Sequence, residues 1–309
     1  MTKLFKSIPL PIAGLMLGLA GLGNLIGSYG GHYRIIAGII SGLIALLLIG
    51  RILTDYSNVS KELKHPILGS VALCFPMGLM ILSTYILSLS SQVALSTWYL
   101  GLLLHIFLLV KFSLNLFKDL TIKKVFPSYF IVYVGIVVGS VTAPAFNHIQ
   151  LGQYLFYFGF ISYLILLPII LYRVVKVKNI KNPALPTITI FTAPAGLCLA
   201  GYMNVFPQKN IMFLGCLVTI TLISVLSVIL YLPKMISVGF FPSFSAFTFP
   251  FVITTIGLKL STNFLINNYS IDFLNYPVRI LEILSIGLVL FVTVKYSNYL
   301  LKNVRNVAK

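Results

Sequence analysis

Apolar and polar positions alternate along this chain on the length scale of a bilayer. Between breaks rich in charge, Pro, Asn or Gly lie ten mostly apolar stretches, at about 8–30, 34–55, 66–89, 92–117, 127–147, 151–174, 185–206, 210–233, 239–263 and 275–301. Each has roughly the 20 residues that a helix needs to cross a hydrocarbon core. The odd-numbered stretches are interrupted in a way the even ones are not. They carry Pro9 and Pro11, Pro66 and Pro76, Pro127 and Pro144, Pro183, Pro186 and Pro194, and Pro242 and Pro250. Even stretches such as RIIAGIISGLIALLLIGRIL and GCLVTITLISVLSVILYL are smoothly aliphatic. Of their prolines, Pro168, Pro233 and Pro277, only Pro168 falls well inside a span.

A proline in a helix interior forfeits a hydrogen bond and bends the helix, and in a bilayer the freed carbonyl must find protein or cavity water. Five spans that accept this repeatedly are expected to face a pathway. Their small residues also let backbones approach closely. The pattern predicts an all-α integral membrane fold, one transmembrane domain over 1–309. Ten helices form five antiparallel hairpins, with the odd helices ringing a central pore and the even ones facing lipid.

Composition excludes a soluble domain: 59% of residues are hydrophobic and 9% charged, with a mean hydropathy of +1.02. The formal net charge of +17 suggests nucleic acid until the basic residues are placed. Eighteen of them, from Lys3 and Lys6 through Arg51, Lys61, Lys64, Lys111, Lys118, Lys123, Lys124, Arg173, Lys176, Lys178, Lys181, Lys234, Lys295, Lys302 and Arg305 to Lys309, fall on one side of a ten-span layout. Only Arg34, Lys209, Lys259 and Arg279 fall on the other. Cytoplasmic loops collect Lys and Arg, so both termini are expected in the cytoplasm. The topology accounts for the charge and no nucleic-acid partner is expected. The run to about Gly31 is longer than a signal h-region and lacks a clear A-x-A site, so the first span is expected to be retained.

Ionisable residues inside membrane spans are costly and functional by default. The acids number only five, Asp55, Glu62, Asp119, Asp272 and Glu282, and Glu282 alone enters a span. Its expected partner is Arg279, three residues earlier, or Lys259 on the neighbouring helix. Lys259 is the one basic residue well inside an inner helix, where it either concentrates anions at the outer mouth or snorkels to the interface. His105, in span four, reads as a polar contact between helices, and His65 as a cap ahead of Pro66. Four isolated His residues make no metal site. Cys74, Cys198 and Cys216 lie within apolar spans at no metal-like or redox-like spacing and read as packing residues. The chain has neither a nucleophile with a base, nor H-E-x-x-H, nor a G-x-x-x-x-G-K-[ST] loop. No enzymatic activity, cofactor or metal is expected.

The opening IPLPIAGLMLGLAGL, His65-Pro66 ten residues ahead of Pro76, PSYF with Gly135 after it, TAPAGLCLAGYM and FSAFTFPF resemble, in order and over nearly the whole chain, the tellurite-resistance/dicarboxylate transporter family. That family includes bacterial TehA-type proteins, malate and sulfite carriers and the slow-type anion channels of plant guard cells. The resemblance implies five helical hairpins with quasi-five-fold symmetry in a bacterial cytoplasmic membrane, assembled as a homotrimer with one pore per protomer. It also implies that Phe249, before Pro250, plugs the pore at mid-membrane and that Gly14 faces it. Independently, a phenyl ring on a proline-bent helix blocks ions sterically and by dewetting. Pore-lining or kink positions are expected at Gly14, Pro76, Gly135, Pro144, Pro194 and Pro250, and anion attraction at Lys259. Where the family often has a proline in helix five the chain has Val132, so that kink is displaced toward Pro144 or the helix is straighter.

The absence of carboxylates from the inner helices favours passive flux over coupling. The expected function is a gated channel for inorganic or small organic anions. The alternative is a secondary carrier or exporter of C4-dicarboxylates, sulfite or tellurite-type oxyanions. Selectivity is expected to rest on backbone groups near kinks, helix dipoles and hydroxyls such as Ser70, Thr142, Thr192 and Thr248, unless these bond to their own helices.

Overall fold

A computed structural model describes residues 5–118 and 120–308, with side chains described as far as 303. Lys3, Asp119, Lys309 and the Arg305 side chain lie outside the described residues. The described residues are helical, with no strand. Among the described residues, nine helical spans are long and apolar enough to cross a membrane: Ile12–Tyr29, Gly31–Thr54, Pro66–Ile86, Ser91–Phe117, Ile149–Val177, Asn182–Val205, Ile211–Ile236, Pro242–Tyr269 and Asn275–Asn303. Between the fourth and fifth of these lies a shorter apolar helix, Val137–Phe146. Counted with it, the spans are numbered one to ten in chain order below.

Burial separates two classes. In spans one, three, seven and nine, 67–78% of the apolar window is buried inside the protein, and in the even spans only 28–39%. Consecutive spans pack as hairpins, one on two through nine on ten. The odd spans also pack on one another in a closed circuit, one on three, three on five, five on seven, seven on nine and nine on one. Exposed Ile, Leu, Val and Phe side chains such as Ile39, Leu46, Leu103, Ile165, Leu226 and Ile283 project from the even spans, as a lipid-facing surface requires.

Spans three, five, seven and nine are interrupted partway along, and the even spans run essentially as unbroken α-helix until their last turns. Span seven is 3-10 helix from Asn182 to Phe191 and α-helix from Thr192. Span nine is 3-10 over Pro242–Phe247, turns at Thr248 (φ −93°, ψ −87°) and restarts as α-helix at Phe249. Span three steps at Leu73, between Pro66–Ala72 and Cys74–Ile86, and span one starts at Ile12 after the turn holding Pro9 and Pro11. Pro76, Pro194 and Pro250 therefore sit in the first turn of a restarted helix. A missing N–H there costs little, because the first turn's donors have no intrahelical acceptor. The expected mid-helix prolines are in this respect helix-starting prolines.

Span five breaks hardest, and not at a proline. A short helix, Tyr129–Tyr133, ends before Gly135 and another begins at Val137. The bonds of Val134 and Gly135 both run to the Phe130 carbonyl. A Cβ at Gly135 would lie 2.2 Å from the Ile131 oxygen, so only glycine fits. The break leaves the Val132 carbonyl without a helical partner, and His105 of span four occupies it, Nε2 to O, at 3.0 Å. The expected shift of the kink to Pro144 is not found: Pro144 lies in the closing turn, Ala143–Phe146.

Candidate functional site: a blind vestibule

The odd spans enclose a cavity of about 790 Å³. Its wall follows helical spacing: Pro11, Gly14 and Leu17 on span one; Val71, Cys74 and Met77 on span three; Phe130, Val134 and Gly135 on the fifth; Ile190, Ala193, Pro194 and Leu197 on the seventh; and Ser245, Ala246, Phe249 and Pro250 on the ninth. All come from the parts of these spans that start at the basic face. Lys123, Lys124, Arg173, Lys178 and Lys181 stand at the cavity's rim with His65, and no Asp or Glu is among its lining residues.

The ends of the site are built differently. At the rim, the Arg173 guanidinium donates to the carbonyls of Lys123 and Lys178, joining the segment before span five to the one after span six. Lys178 and Asn179 adopt positive φ, 54° and 58°, a conformation that side-chain-bearing residues hold only when surrounding contacts impose it. His65 caps span three, its Nδ1 accepting from the Ile67 and Leu68 amides at 3.2 and 3.4 Å.

At the inner end, Phe249 is 4% exposed. Its ring lies against span one, where a Cβ at Gly21 would be 3.4 Å from Cδ2 and Cε2. The Thr248 hydroxyl fixes the turn before it, in contact with the carbonyls of Gly14 (2.9 Å) and Ser245 (2.7 Å). Across the ring, the Thr254 hydroxyl lies 2.9 Å from the Thr192 carbonyl and 2.8 Å from that of Pro250.

Five of the expected positions, Gly14, Gly135, Pro194, Phe249 and Pro250, thus share one cavity. Pro76, Pro144 and Lys259 are not among its lining residues. The Pro76 carbonyl faces Gly101 of span four. Lys259 pairs with Glu282 at 2.8 Å, and Glu282 also accepts from the Tyr29 hydroxyl at 2.7 Å. Lys259 further reaches Ser28 at 3.2 Å, so its charge is largely compensated by near neighbours. Of the two partners open to Glu282 in sequence, the fold selects Lys259.

The hydroxyls of Ser70, Thr142, Thr192 and Thr248 all donate to backbone carbonyls, which leaves them little to offer an anion. Cys74 and Cys198 are buried, and Cys216 is exposed on span eight. Among the described residues no group of three His, Cys, Asp or Glu is arranged to hold a metal. Leu17, Met77 and Leu197 were not singled out from sequence, although each lies three residues from a marked or wall residue on the same helical face: Gly14, Cys74 and Pro194.

An internal cavity between apolar spans, with a cationic rim and no carboxylate among its lining residues, favours anions over cations. Residues 8–296 match the SLAC1 family, voltage-dependent anion channels, and the chain belongs to that family. An uncharacterized transporter of Methanocaldococcus jannaschii is 26% identical over 161 residues, 48% of this chain and 47% of that protein. The match therefore spans about half the length of this curated relative.

Proposed function

We propose that the protein is a gated channel conducting small anions passively, with the five odd spans arranged in quasi-five-fold symmetry as its lining and Phe249 as its gate. The observation that carries this reading is the position of the Phe249 ring, at the blind end of the vestibule and on the residue where span nine restarts as α-helix, just before Pro250. A narrow apolar constriction disfavours water and ions. With glycine opposite, no side chain at position 21 interlocks with the ring.

Anion preference follows from weak sources acting together. The wall has no carboxylate to repel anions. The rim lysines raise the local anion concentration, and the restarted helices at Thr192 and Phe249 direct their positive ends toward the vestibule. Weak binding of this kind suits conduction, since a tightly held ion leaves slowly. The basic face is the cytoplasmic one, with both termini on that side of a cytoplasmic membrane.

Phe249→Ala is expected to raise anion current in planar bilayers about 100-fold, equivalent to removing a barrier of roughly 3 kcal/mol. Unchanged current at normal expression would sink the gate assignment. Reversal potentials of the variant should track the anion gradient and ignore a pH gradient, whereas a shift with the proton gradient would mark a coupled carrier.

A further inference from the structure

The vestibule is poorly matched to a small hydrated anion. Its volume of about 790 Å³ is many times the roughly 30 Å³ share of a water molecule, and lies in the range of roughly 300–1,000 Å³ typical of organic-ligand sites. Leu17, Val71, Phe130, Ile131, Ile190 and Leu197 give the wall its character. Of the hydroxyls along it, Thr187 donates to the Ala184 carbonyl and Ser243, near the rim, to that of Pro183. A bare inorganic anion therefore finds few free donors below the rim beyond the Ser245 hydroxyl.

The rim is the opposite. Lys123, Lys178 and Lys181 are exposed and line the same cavity. Arg173 bonds the backbone carbonyls of two of them, so the rim's width is fixed. From Pro242, at the rim, to Phe249 is seven residues of largely 3-10 geometry, about 14 Å at ~2.0 Å per residue.

From this arrangement we infer that the vestibule is a binding site for amphiphilic organic anions. The single anionic headgroup sits at the rim among Lys123, Lys178 and Lys181, and an apolar body of two or three rings lies below it, ending beneath Phe249. Burial of the body against the wall supplies affinity, and the headgroup sets polarity and orientation. The inference rests on the cavity being the basic-side approach to the pore. Such an anion then obstructs small-anion flux when added on that side and not when added on the other.

The test is titration calorimetry on the full chain in lipid nanodiscs, with empty discs subtracted. Three probes are used: naphthalene-2-sulfonate, methanesulfonate with the same headgroup, and 2-naphthol with the same body. The naphthalenesulfonate should bind one per chain, with both fragments at least about tenfold weaker. Ala193→Trp and Ala246→Trp, at small wall positions, should fill the cavity and abolish binding, and Lys181→Glu should weaken it about tenfold. If one tryptophan variant fails to fold, the other and Lys181→Glu carry the test. Methanesulfonate binding as tightly as naphthalenesulfonate, or folded tryptophan variants that bind like the wild type, would overturn the proposal. Binding is read on the closed wild-type protein. A silent Phe249→Ala with intact binding therefore removes the gate alone, and an active Phe249→Ala without binding removes this site alone.

Discussion

Each inner span has two halves, and they solve the packing problem in opposite ways. Toward the basic face the backbone is stepped or 3-10, and space is left between the spans. Toward the opposite face the same spans are mainly α-helix, with 3-10 closing turns in spans one and five, and their glycines close the space. A Cβ at Gly196 would lie 2.5 Å from the Thr254 Cα, one at Gly257 2.7 Å from the Gly196 oxygen, and one at Gly201 2.7 Å from a Val137 methyl. Irregular backbone thus coincides with the cavity and regular backbone with the seal. In lipid this is the workable division, since non-helical backbone is tolerated where it is covered by protein or lines a cavity. Phe249 stands on the boundary, as the first residue of the regular half of span nine.

The largest expected effect is at that boundary, where Phe249→Ala should join the two halves and raise current as described. Next comes the sealed half. Gly196→Leu should destabilise the protein by about 3 kcal/mol or more, because the obstructing atom is backbone and cannot yield. Ala246→Ser in the vestibule should cost less than about 0.5 kcal/mol. Heat-challenge size exclusion in detergent distinguishes the two, and equal losses would break the contrast. His105→Leu leaves the Val132 carbonyl unpaired and should cost about 2 kcal/mol in the same assay; no loss would mean that the broken span needs no outside donor. A smaller effect than that of His105→Leu is expected at the far end, where Glu282→Gln deprives Lys259 of its charged partner. With Lys259 partly solvated, a loss of about 1 kcal/mol is expected, and a much larger one would show that this pair holds the ring together.

Much of the inner-versus-outer division was legible because Pro and Gly report on backbone approach, which depends on residue identity at single positions. The rest depended on partners far apart in sequence. The fifth span breaks at Gly135 with no proline, and His105, 3.0 Å from the stranded Val132 carbonyl, satisfies the group that the break releases. Nothing local to Val132 announces that rescue. The prolines were legible as disturbances, but not as helix starts, since a hydropathy pattern does not separate 3-10 from α geometry in a buried segment. Lys259 illustrates the same limit: the sequence left Glu282 a choice between Arg279 and Lys259, and only the fold shows Lys259 paired with Glu282 and in reach of Ser28.

The bond from Thr248 to the Gly14 carbonyl joins residues 234 positions apart, and this bears on how the protein is made. Hairpins insert as they leave the ribosome, N-terminal first. After eight spans the circuit is still open along the glycine face of span one, and no enclosed water path exists. The hairpin that closes it carries Phe249. The last piece to arrive brings Phe249 with it, so under the proposed function the ring of inner spans is never complete without its gate.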